Sequence, residues 1–210
     1  MNEIVKVQQF GRQAYIPVWQ QLKAFTQNRT TQTIDEIWLL EHESVYTQGQ
    51  AGKAEHLLNP GNIPVIQSDR GGQITYHGPG QLIIYVLVDI QRKNLNVREF
   101  VRYLEQAVIE LLATYNITAS TKTNAPGVYV ADAKIASIGL RVRQGRTYHG
   151  LSLNVAMDLE PFSRINPCGF SNMQMAQLSE LGGPSSVSIV GSQLLAILTQ
   201  KIGYQEITYG

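Results

Sequence analysis

The chain has 210 residues, and its 17 basic and 16 acidic side chains give a formal net charge of +1 at pH 7. This balance argues against an extended nucleic-acid-binding surface, and the length predicts one domain over residues 1–210. The single cysteine, Cys168, excludes an internal disulfide and favours a reducing compartment. We expect a soluble, cytoplasmic protein with no membrane partner, because no signal peptide is recognisable and the longest apolar run, Leu82 to Val88, is too short to span a membrane.

The first half of the chain predicts one helix followed by strands. Tyr15 to Gln27 has helical spacing, with Pro17 tolerable because it falls in the first turn, and Ile34 to Glu41 is predicted as a strand. A short extended segment is expected at Ile63 to Gln67. Leu82 to Asp89 is almost continuously apolar, which predicts a central strand buried on both faces.

The next region predicts a helix and a meander of strands. Asn96 and Glu99, three residues apart, form a capping box, and the apolar residues that follow repeat at helical spacing up to Tyr115. Alternation of apolar with smaller or polar residues then predicts three strands joined by short turns, over 127–130, 134–143 and 147–155.

The last region predicts a loop and a final helix. Residues 161–185 are rich in proline, glycine, asparagine and serine, which is typical of a loop, and Val190 to Ile202 forms an amphipathic pattern that ends at Gly203. With its strands clustered between helices, the chain predicts an α+β fold with a mixed, mostly antiparallel sheet flanked by helices.

A glycine-rich run extends from Arg70 to Gln81 and places four glycines, one proline, one arginine and one histidine within twelve positions. Because glycine lacks Cβ, its backbone can approach a ligand closely, so we interpret this run as the wall of an active site rather than a plain turn. Arg70 could meet a phosphate there. The run is not a Walker-type phosphate loop, since no Gly-Lys-Ser or Gly-Lys-Thr follows.

Cys168 is a candidate nucleophile. It lies in Asn166-Pro167-Cys168-Gly169, where its neighbours resist regular structure, so we expect the sulfur on a turn. A thiolate attacks effectively but needs a neighbouring base or cation to form near neutral pH. The alternative is an inert, buried cysteine.

Three side chains are candidates for that neighbouring group. Lys134 lies between small and apolar residues on a predicted strand, although a solvated lysine at a sheet edge is the alternative. His77 and His149 each precede a glycine, and each could be a base or a hydrogen-bonded structural group. The histidines and Cys168 show no ligand spacing, so no metal site is predicted.

Four motifs together resemble the octanoyltransferases of lipoate biosynthesis, which move an octanoyl group from acyl carrier protein to a lysine of lipoate-dependent enzyme domains. In chain order the motifs are Arg70-Gly71-Gly72-x-x-Thr75-Tyr76-His77-x-x-Gly80-Gln81, Lys134-Ile135-Ala136-Ser137-Ile138-Gly139, His149-Gly150-Leu151-Ser152-Leu153-Asn154 and Pro167-Cys168-Gly169. The resemblance implies the α+β fold of the biotin and lipoate protein ligase catalytic domains.

The resemblance also implies roles for individual residues. Cys168 would carry the acyl thioester, and Lys134 would lower the pKa of the thiol and shuttle protons. The acyl-substrate pocket would be lined by Arg70, Gly71, Gly72, Gln73, Ile74, Thr75, Tyr76, His77, Ser137, Ile138, Gly139, Gly150, Leu151 and Ser152.

The implied partners are octanoyl-acyl carrier protein, the lipoyl domains of 2-oxo acid dehydrogenases and the H protein of glycine cleavage. No bound cofactor is expected, because phosphopantetheine arrives on the carrier, and a monomer is the default. A basic rim of Arg141, Arg143 and Arg146 could dock the acidic partners, or could be a solvated hairpin.

Three other functions stay open at this point. An ATP-dependent lipoate ligase on the same fold would use Lys134 to hold an acyl-adenylate, and Cys168 would be incidental. An inert module that holds acylated carriers would form no covalent adduct. A hydrolytic cysteine enzyme would release free octanoate.

Overall fold

The computed structural model describes residues 3–123, 125–167 and 173–210, which form three α-helices and eleven strands. The helices are α1 (Tyr15–Asn28), α2 (Val97–Thr114) and α3 (Val187–Ile202). The strands are β1 (Ile4–Gln13), β2 (Asp35–His42), β3 (Val45–Gln48), β4 (Val65–Gln67), β5 (Ile74–His77), β6 (Gln81–Leu87), β7 (Ser120–Lys122), β8 (Ala125–Val130), β9 (Ala133–Arg143), β10 (Arg146–Asn154) and β11 (Glu206–Tyr209).

Eight strands form one sheet in the order β11-β1-β2-β6-β10-β9-β8-β7, and a second sheet has the order β4-β3-β5. In the large sheet β1 pairs in parallel with β2 and β11, and the remaining pairs are antiparallel. The predicted α+β fold with a mixed, mostly antiparallel sheet is therefore confirmed.

Strand β6 is the centre of the large sheet, as its apolar sequence predicts. All seven of its residues are buried, because β2 and β10 flank it and helices cover both faces. Along β6 the side chains alternate, so Ile84 and Val86 contact the layer of α2 and α3, whereas Ile83, Tyr85 and Leu87 face the layer of α1.

The predicted helix ends are confirmed in detail. Asn96 accepts a hydrogen bond from the Glu99 N–H while the Glu99 carboxylate accepts one from the Asn96 N–H, which is the predicted capping box of α2. Helix α3 ends at Gly203, whose φ of 83° is accessible to glycine at low cost. None of the helices in the described part of the chain is long and apolar enough to cross a membrane.

Several strands were not predicted. In β1 the exposed positions include Gln9, Gly11 and Arg12, so its apolar pattern covers only the first few residues, and β11 is short. Both form because each adds to an edge of the sheet already built around β2. The glycine-rich run contains β5, which pairs with β3, and all four residues of β5 are buried.

The hypothesised basic rim is wrong for Arg146. Its Nε lies 3.5 Å from an Asp89 carboxylate oxygen and its Nη1 donates to the Arg29 carbonyl at 2.7 Å, so its charge faces the protein. Arg143 is exposed, and Arg141 contacts Gln50.

Asp35 joins three distant segments at the same end of the sheet. Its buried carboxylate accepts hydrogen bonds from Arg29, from Arg92 at 2.6 Å, from the Asp89 N–H at 2.9 Å and from the Tyr204 hydroxyl at 2.7 Å. Two guanidinium groups and two neutral donors on one carboxylate satisfy the charge that burial would otherwise make costly.

We predict that Asp35→Ala destabilises the fold by about 3–5 kcal/mol, because it leaves the Arg29 guanidinium, which is 0% exposed, without its counter-charge. Urea denaturation followed by circular dichroism measures this change. The matched control is Asp132→Ala, which removes a carboxylate that is 97% exposed and pairs with Lys122, and which we expect to leave the midpoint unchanged. Equal midpoints for the two variants would contradict the assignment.

Candidate active site

A cavity of about 390 Å³ opens beside β9 and extends across the sheet towards α1. Its floor comes from β9, β10 and β6, and the segment 70–75 covers it. The residues predicted as pocket-lining that line this cavity are 70–75, His77, 137–139 and 150–152, together with Lys134. Three separate parts of the sequence therefore meet at one cavity, although whether these residues bind substrate stays a prediction.

Tyr76 is the exception and lies outside this lining. Side chains alternate along β5, so Thr75 and His77 face the cavity while Tyr76 faces the opposite side. Its hydroxyl bonds the Ser44 hydroxyl at 3.0 Å, and its ring lies 5.4 Å from that of Phe162. The prediction that Tyr76 lines the pocket is wrong for this reason.

Glycines let the covering loop rest on the sheet. Gly139 of β9 lies opposite Gly150 of β10, and a Cβ on Gly139 would come within 3.2 Å of the Gly71 carbonyl oxygen. The Gly71 N–H donates to the Leu140 carbonyl at 3.0 Å, so the loop bonds the edge of β9 directly. This contact requires the short distance that only a missing side chain allows.

Arg70 holds the covering loop from inside. Its Nε donates to the Thr47 hydroxyl at 2.9 Å, and its Nη atoms donate to the carbonyls of Gly71 at 2.8 Å and Gln73 at 2.6 Å. Arg70 is 8% exposed, and a buried guanidinium group bonded in this way fixes the shape of the loop. This arrangement differs from the expected phosphate contact.

Lys134 lies in the wall of the cavity, and its side chain is buried. Only 1% of its surface is exposed, and its Nζ lies 5.5 Å from the centre of the Tyr129 ring, within range of a cation–π interaction. Its backbone N–H donates to the Gln174 carbonyl at 2.8 Å, and its carbonyl accepts from the Ala176 N–H at 3.0 Å. The alternative of a solvated lysine is therefore wrong.

Gly127 makes room for the Lys134 side chain. A Cβ on Gly127 would lie 2.5 Å from Lys134 Cε and 2.5 Å from the Ala136 carbonyl oxygen, and the φ of +143° is rare for other residues. The Gly127 N–H donates to a Glu105 carboxylate oxygen at 3.0 Å. Burial raises the pKa of Glu105, while this hydrogen bond and the charge of Lys134 oppose the rise.

His77 and His42 are held neutral. Burial lowers the pKa of His77 to about 3, with the nearby His42 and Arg70 acting in the same direction. Burial also lowers the pKa of His42 to about 4. The His42 Nε2 lies 2.6 Å from the Tyr85 hydroxyl, and its Nδ1 lies 3.0 Å from the Gln13 carbonyl, so both ring nitrogens have protein partners.

His149 forms a pair with Asp69 at the cavity. Its Nε2 lies 2.9 Å from an Asp69 carboxylate oxygen. Burial lowers the pKa of His149 and outweighs the opposing effect of Asp69. Burial would raise the pKa of Asp69, but hydrogen bonds from His149, Tyr148 and Trp19 outweigh it and hold that pKa well below its usual range. The two side chains therefore form a locked polar pair.

Cys168 and Gly169 lie outside the described residues, so the structure says nothing of the predicted nucleophile. Within the described ranges no group of three His, Cys, Asp or Glu side chains could hold a metal ion.

Sequence reasoning missed several lining residues. Ala125 and Pro126 precede the predicted strand 127–130, and the other missed residues lie on predicted elements whose cavity-facing side was not predicted: Tyr15, Ile83, Tyr85, Val97, Val101 and Leu140. For Ile83 and Tyr85 a signal existed, since alternate positions of a central strand must face opposite layers. For Val97 and Val101 no local pattern distinguishes a cavity from the core.

The chain is similar to known proteins over most of its length. The family described as the lipoyl protein ligase A/B catalytic domain matches residues 15–199. An octanoyltransferase of Aeromonas salmonicida is 60% identical over 207 residues, covering 96% of this chain and 92% of that protein. An octanoyltransferase of Vibrio vulnificus is 55% identical over 208 residues, covering 99% and 95%.

Solved structures share the fold at low sequence identity. A lipoate-protein ligase A bound with ATP superposes with a TM-score of 0.77 at 15% identity, covering 100% of this chain and 88% of that one. The biotin protein ligase of Aquifex aeolicus gives a TM-score of 0.55 at 13% identity, covering 94% and 68%. The predicted ligase-like fold is confirmed, and the chain belongs to the lipoyl protein ligase A/B catalytic-domain family, among its octanoyltransferases, which are acyltransferases.

Proposed function

We propose that the chain transfers an octanoyl group from octanoyl-acyl carrier protein to a specific lysine of lipoate-dependent domains, through a thioester on Cys168 with Lys134 as its acid–base partner. The acceptors would be the lipoyl domains of 2-oxo acid dehydrogenases and the H protein of glycine cleavage. The reaction would take place in the cytoplasm, with the enzyme as a monomer and without a bound cofactor. The phosphopantetheine group belongs to the carrier.

The observation that carries the proposal is the buried side chain of Lys134 in the cavity wall. Lysine is almost never fully buried unless paired, because desolvation of its charge is costly. A lysine held in such a position beside an apolar cavity is suited to move protons during a transfer reaction.

The sequence neighbours of Cys168 support a nucleophile close to this amine. On one side, the Asn166 N–H donates to the His56 carbonyl at 2.8 Å. On the other side, Gln174 accepts a hydrogen bond from the backbone of Lys134 itself at 2.8 Å. Gln174, six residues after Cys168 in the sequence, therefore lies against Lys134, which supports a position of the nucleophile near this amine.

The cavity suits a medium-length acyl chain. Its apolar lining includes Ile83, Val101, Ile138 and Leu151. Burial of the six methylenes of an octanoyl chain at about 0.8 kcal/mol each would contribute roughly 5 kcal/mol. Such a contribution favours octanoyl over short acyl groups.

In the first step the Cys168 thiolate attacks the carbonyl carbon of the carrier thioester. A new carbon–sulfur bond to Cys168 forms, and the bond to the phosphopantetheine sulfur breaks. The Lys134 ammonium gives its proton to the departing phosphopantetheine thiolate. The products are octanoyl-Cys168, neutral Lys134 and the free thiol of the carrier.

In the second step the neutral amine of the acceptor lysine attacks octanoyl-Cys168. An amide bond forms, the thioester bond breaks, and the Cys168 thiolate leaves. Lys134 accepts the proton that the attacking nitrogen loses, which restores its ammonium form and the starting state. Because one thioester replaces another before the amide forms, the route requires no ATP.

The histidines were rival bases, and their environments argue against that role. Protonation of His77 or His149 is disfavoured by burial, and the hydrogen bonds of both side chains are already directed to protein partners. Their positions around the cavity suit a structural role in its wall.

The experiment that tests the proposal mixes the protein with octanoyl-acyl carrier protein and measures the intact mass. We expect an increase of one octanoyl group that maps to the peptide with Cys168, loss of this adduct in Cys168→Ala, and a fall of at least about 100-fold in its rate of formation in Lys134→Met. An unmodified wild-type protein that still lipoylates an acceptor domain with ATP would support the ligase alternative instead.

We predict that Gly127→Ala lowers the rate of acyl transfer by about 100-fold or more, because its methyl group would occupy the space of Lys134 Cε and force the amine away. Single-turnover transfer from the octanoylated carrier measures the effect. Gly203→Ala is the matched control, since this glycine also has a positive φ but no atom within 4 Å of the added Cβ, and we expect a normal rate. Equal rates for the two variants would overturn the steric explanation.

The neutral histidines predict a pH dependence of stability. His77 has a folded pKa near 3, below its unfolded value of about 6.5, so below pH 6.5 the unfolded state binds a proton that the folded state does not. The free energy of unfolding should therefore fall as the pH decreases from 6.5 towards 3, with about 1.3 kcal/mol per pH unit from His77 near pH 5.

The measurement is urea denaturation between pH 7 and pH 4.5 for the wild type and His77→Gln. The variant is expected to have a slope of stability against pH that is smaller by about one proton, whatever its stability at pH 7. An unchanged slope would contradict the neutral state of His77.

A further inference from the structure

A chain of hydrogen bonds connects the loop that covers the cavity to the interior of the sheet. Arg70 Nε donates to the Thr47 hydroxyl oxygen at 2.9 Å. The Thr47 hydroxyl lies 3.3 Å from His77 Nε2, and His77 Nδ1 lies 2.8 Å from Gln81 Oε1. Thr47, His77 and Gln81 come from β3, β5 and β6, Arg70 comes from the segment before β5, and all four are buried.

The chain continues from β6 to Lys134. Gln81 Nε2 donates to Asn154 Oδ1 at 2.9 Å, and Asn154 Nδ2 donates to the Ala176 carbonyl at 2.9 Å. The Ala176 N–H then donates to the Lys134 carbonyl at 3.0 Å. The path therefore connects Arg70, in the loop that covers the cavity, to the backbone of Lys134 in the cavity wall.

Every donor in this chain points in the same direction. The Gln81 amide nitrogen donates to Asn154, so the Gln81 oxygen must accept the proton on His77 Nδ1. Neutral His77 then has an unprotonated Nε2, which accepts a hydrogen bond from the Thr47 hydroxyl. The Thr47 oxygen in turn accepts the hydrogen bond from Arg70. Bonds aligned in this way polarise one another, so the chain favours one arrangement of all its members.

The hydrogen-bond path ends where the neighbour of strand β9 changes from β10 to the segment 174–176. Asn154 is the last residue of β10, and the register of β10 with β9 ends at Leu153 and Ala136. Beyond that point the backbone of 174–176 takes the place beside Lys134, with a parallel bridge between Lys134 and Met175. The Asn154 amide spans this change, because it bonds the Ala176 carbonyl.

We propose that Asn154 is a positioning residue for acyl transfer, which holds the segment 174–176 against Lys134 and connects it through Gln81, His77 and Thr47 to Arg70. This inference rests on the proposed function. Arg70, His77 and Lys134 line the cavity, whereas Asn154, Gln81 and Thr47 lie behind its wall. Asn154 therefore acts on the reaction through the geometry of other groups.

The main test variant is Asn154→Asp, which has nearly the same shape. It keeps the oxygen that accepts from Gln81 but replaces the donor towards the Ala176 carbonyl with a second acceptor. The matched control is Thr147→Val, on the same strand. Thr147 is also fully buried, and its hydroxyl bonds Val86 and Val88 away from the chain.

Steady-state transfer from octanoyl-acyl carrier protein measures kcat and KM for each variant, corrected for the folded fraction. We expect Asn154→Asp to lower kcat by about 10- to 100-fold with KM changed by less than about twofold, because geometry rather than carrier binding is lost. Thr147→Val should keep the wild-type kcat even where it lowers the melting temperature. A wild-type kcat in Asn154→Asp, or equal losses in the two variants, overturns the proposal.

Thr47→Val gives a second test at the far end of the chain, which decides the matter if Asn154→Asp does not fold. It removes the hydroxyl between Arg70 and His77. We expect a reduced kcat in Thr47→Val alone. Where Asn154→Asp folds, the double variant should be less impaired than the product of the two single losses, since both substitutions break one network. A wild-type kcat in Thr47→Val overturns the coupling.

Amide hydrogen exchange separates this inference from the proposed function. If the wild type forms no octanoyl-Cys168, the proposed function fails, but the positioning role is still measurable. Asn154→Asp should then speed exchange at the Lys134 and Ala176 amides, and Thr147→Val should not. Unchanged exchange at these amides in Asn154→Asp overturns the positioning role by itself.

Discussion

The arrangement of the site depends on keeping the amine of Lys134 inside the protein at the edge of an apolar cavity. A buried ammonium group requires compensation, and here the Tyr129 ring lies 5.5 Å from Nζ and the half-buried Glu105 contributes an opposing charge. Gly127 leaves the space that the side chain occupies. The backbone N–H and carbonyl of Lys134 are buried with its side chain, and both form hydrogen bonds, to Gln174 and Ala176.

Apolar packing holds the sheet together, and small and polar side chains shape the cavity. The sheet packs against α2 and α3 through a continuous apolar core, which keeps β6, β9 and β10 in register. Around the cavity, which Tyr15 of α1 and Val97 of α2 both line, glycines and small side chains leave space, and buried polar groups replace part of the apolar packing. Polar groups in such a wall are stabilising only when their hydrogen bonds are satisfied, as those of Arg70, His77 and Asn154 are.

The sequence predicts the parts of the fold that are encoded locally. The apolar run of β6, the capping box of α2 and the glycine that ends α3 each produce their structure through contacts within a few residues. Residues of three of the four motifs line one cavity, whereas Cys168 lies outside the described residues. The motifs on β9 and β10 meet because these two strands are neighbours. Strands β1 and β11, at one side of the sheet, were missed, since their partners are distant in sequence and their own patterns are weak.

Other features of the site depend on which way a side chain points. Tyr76 belongs to the motif but faces away from the cavity, because alternation along β5 was not visible while the run was interpreted as loop. The hydrogen-bond path through Thr47, Gln81 and Asn154 joins residues from three strands, and no spacing in the sequence indicates it. Such features become visible only when the register of the sheet is known.

The central claim is that the acyl group passes through the protein itself. It is tested most directly by isolating the octanoylated protein, removing the carrier, and adding an acceptor domain without ATP. We expect the octanoyl group to move to the acceptor lysine at a rate at least equal to kcat. An isolated acyl-protein that is inert towards the acceptor, or one that transfers only after carrier or ATP is restored, would show that the acyl group takes another route.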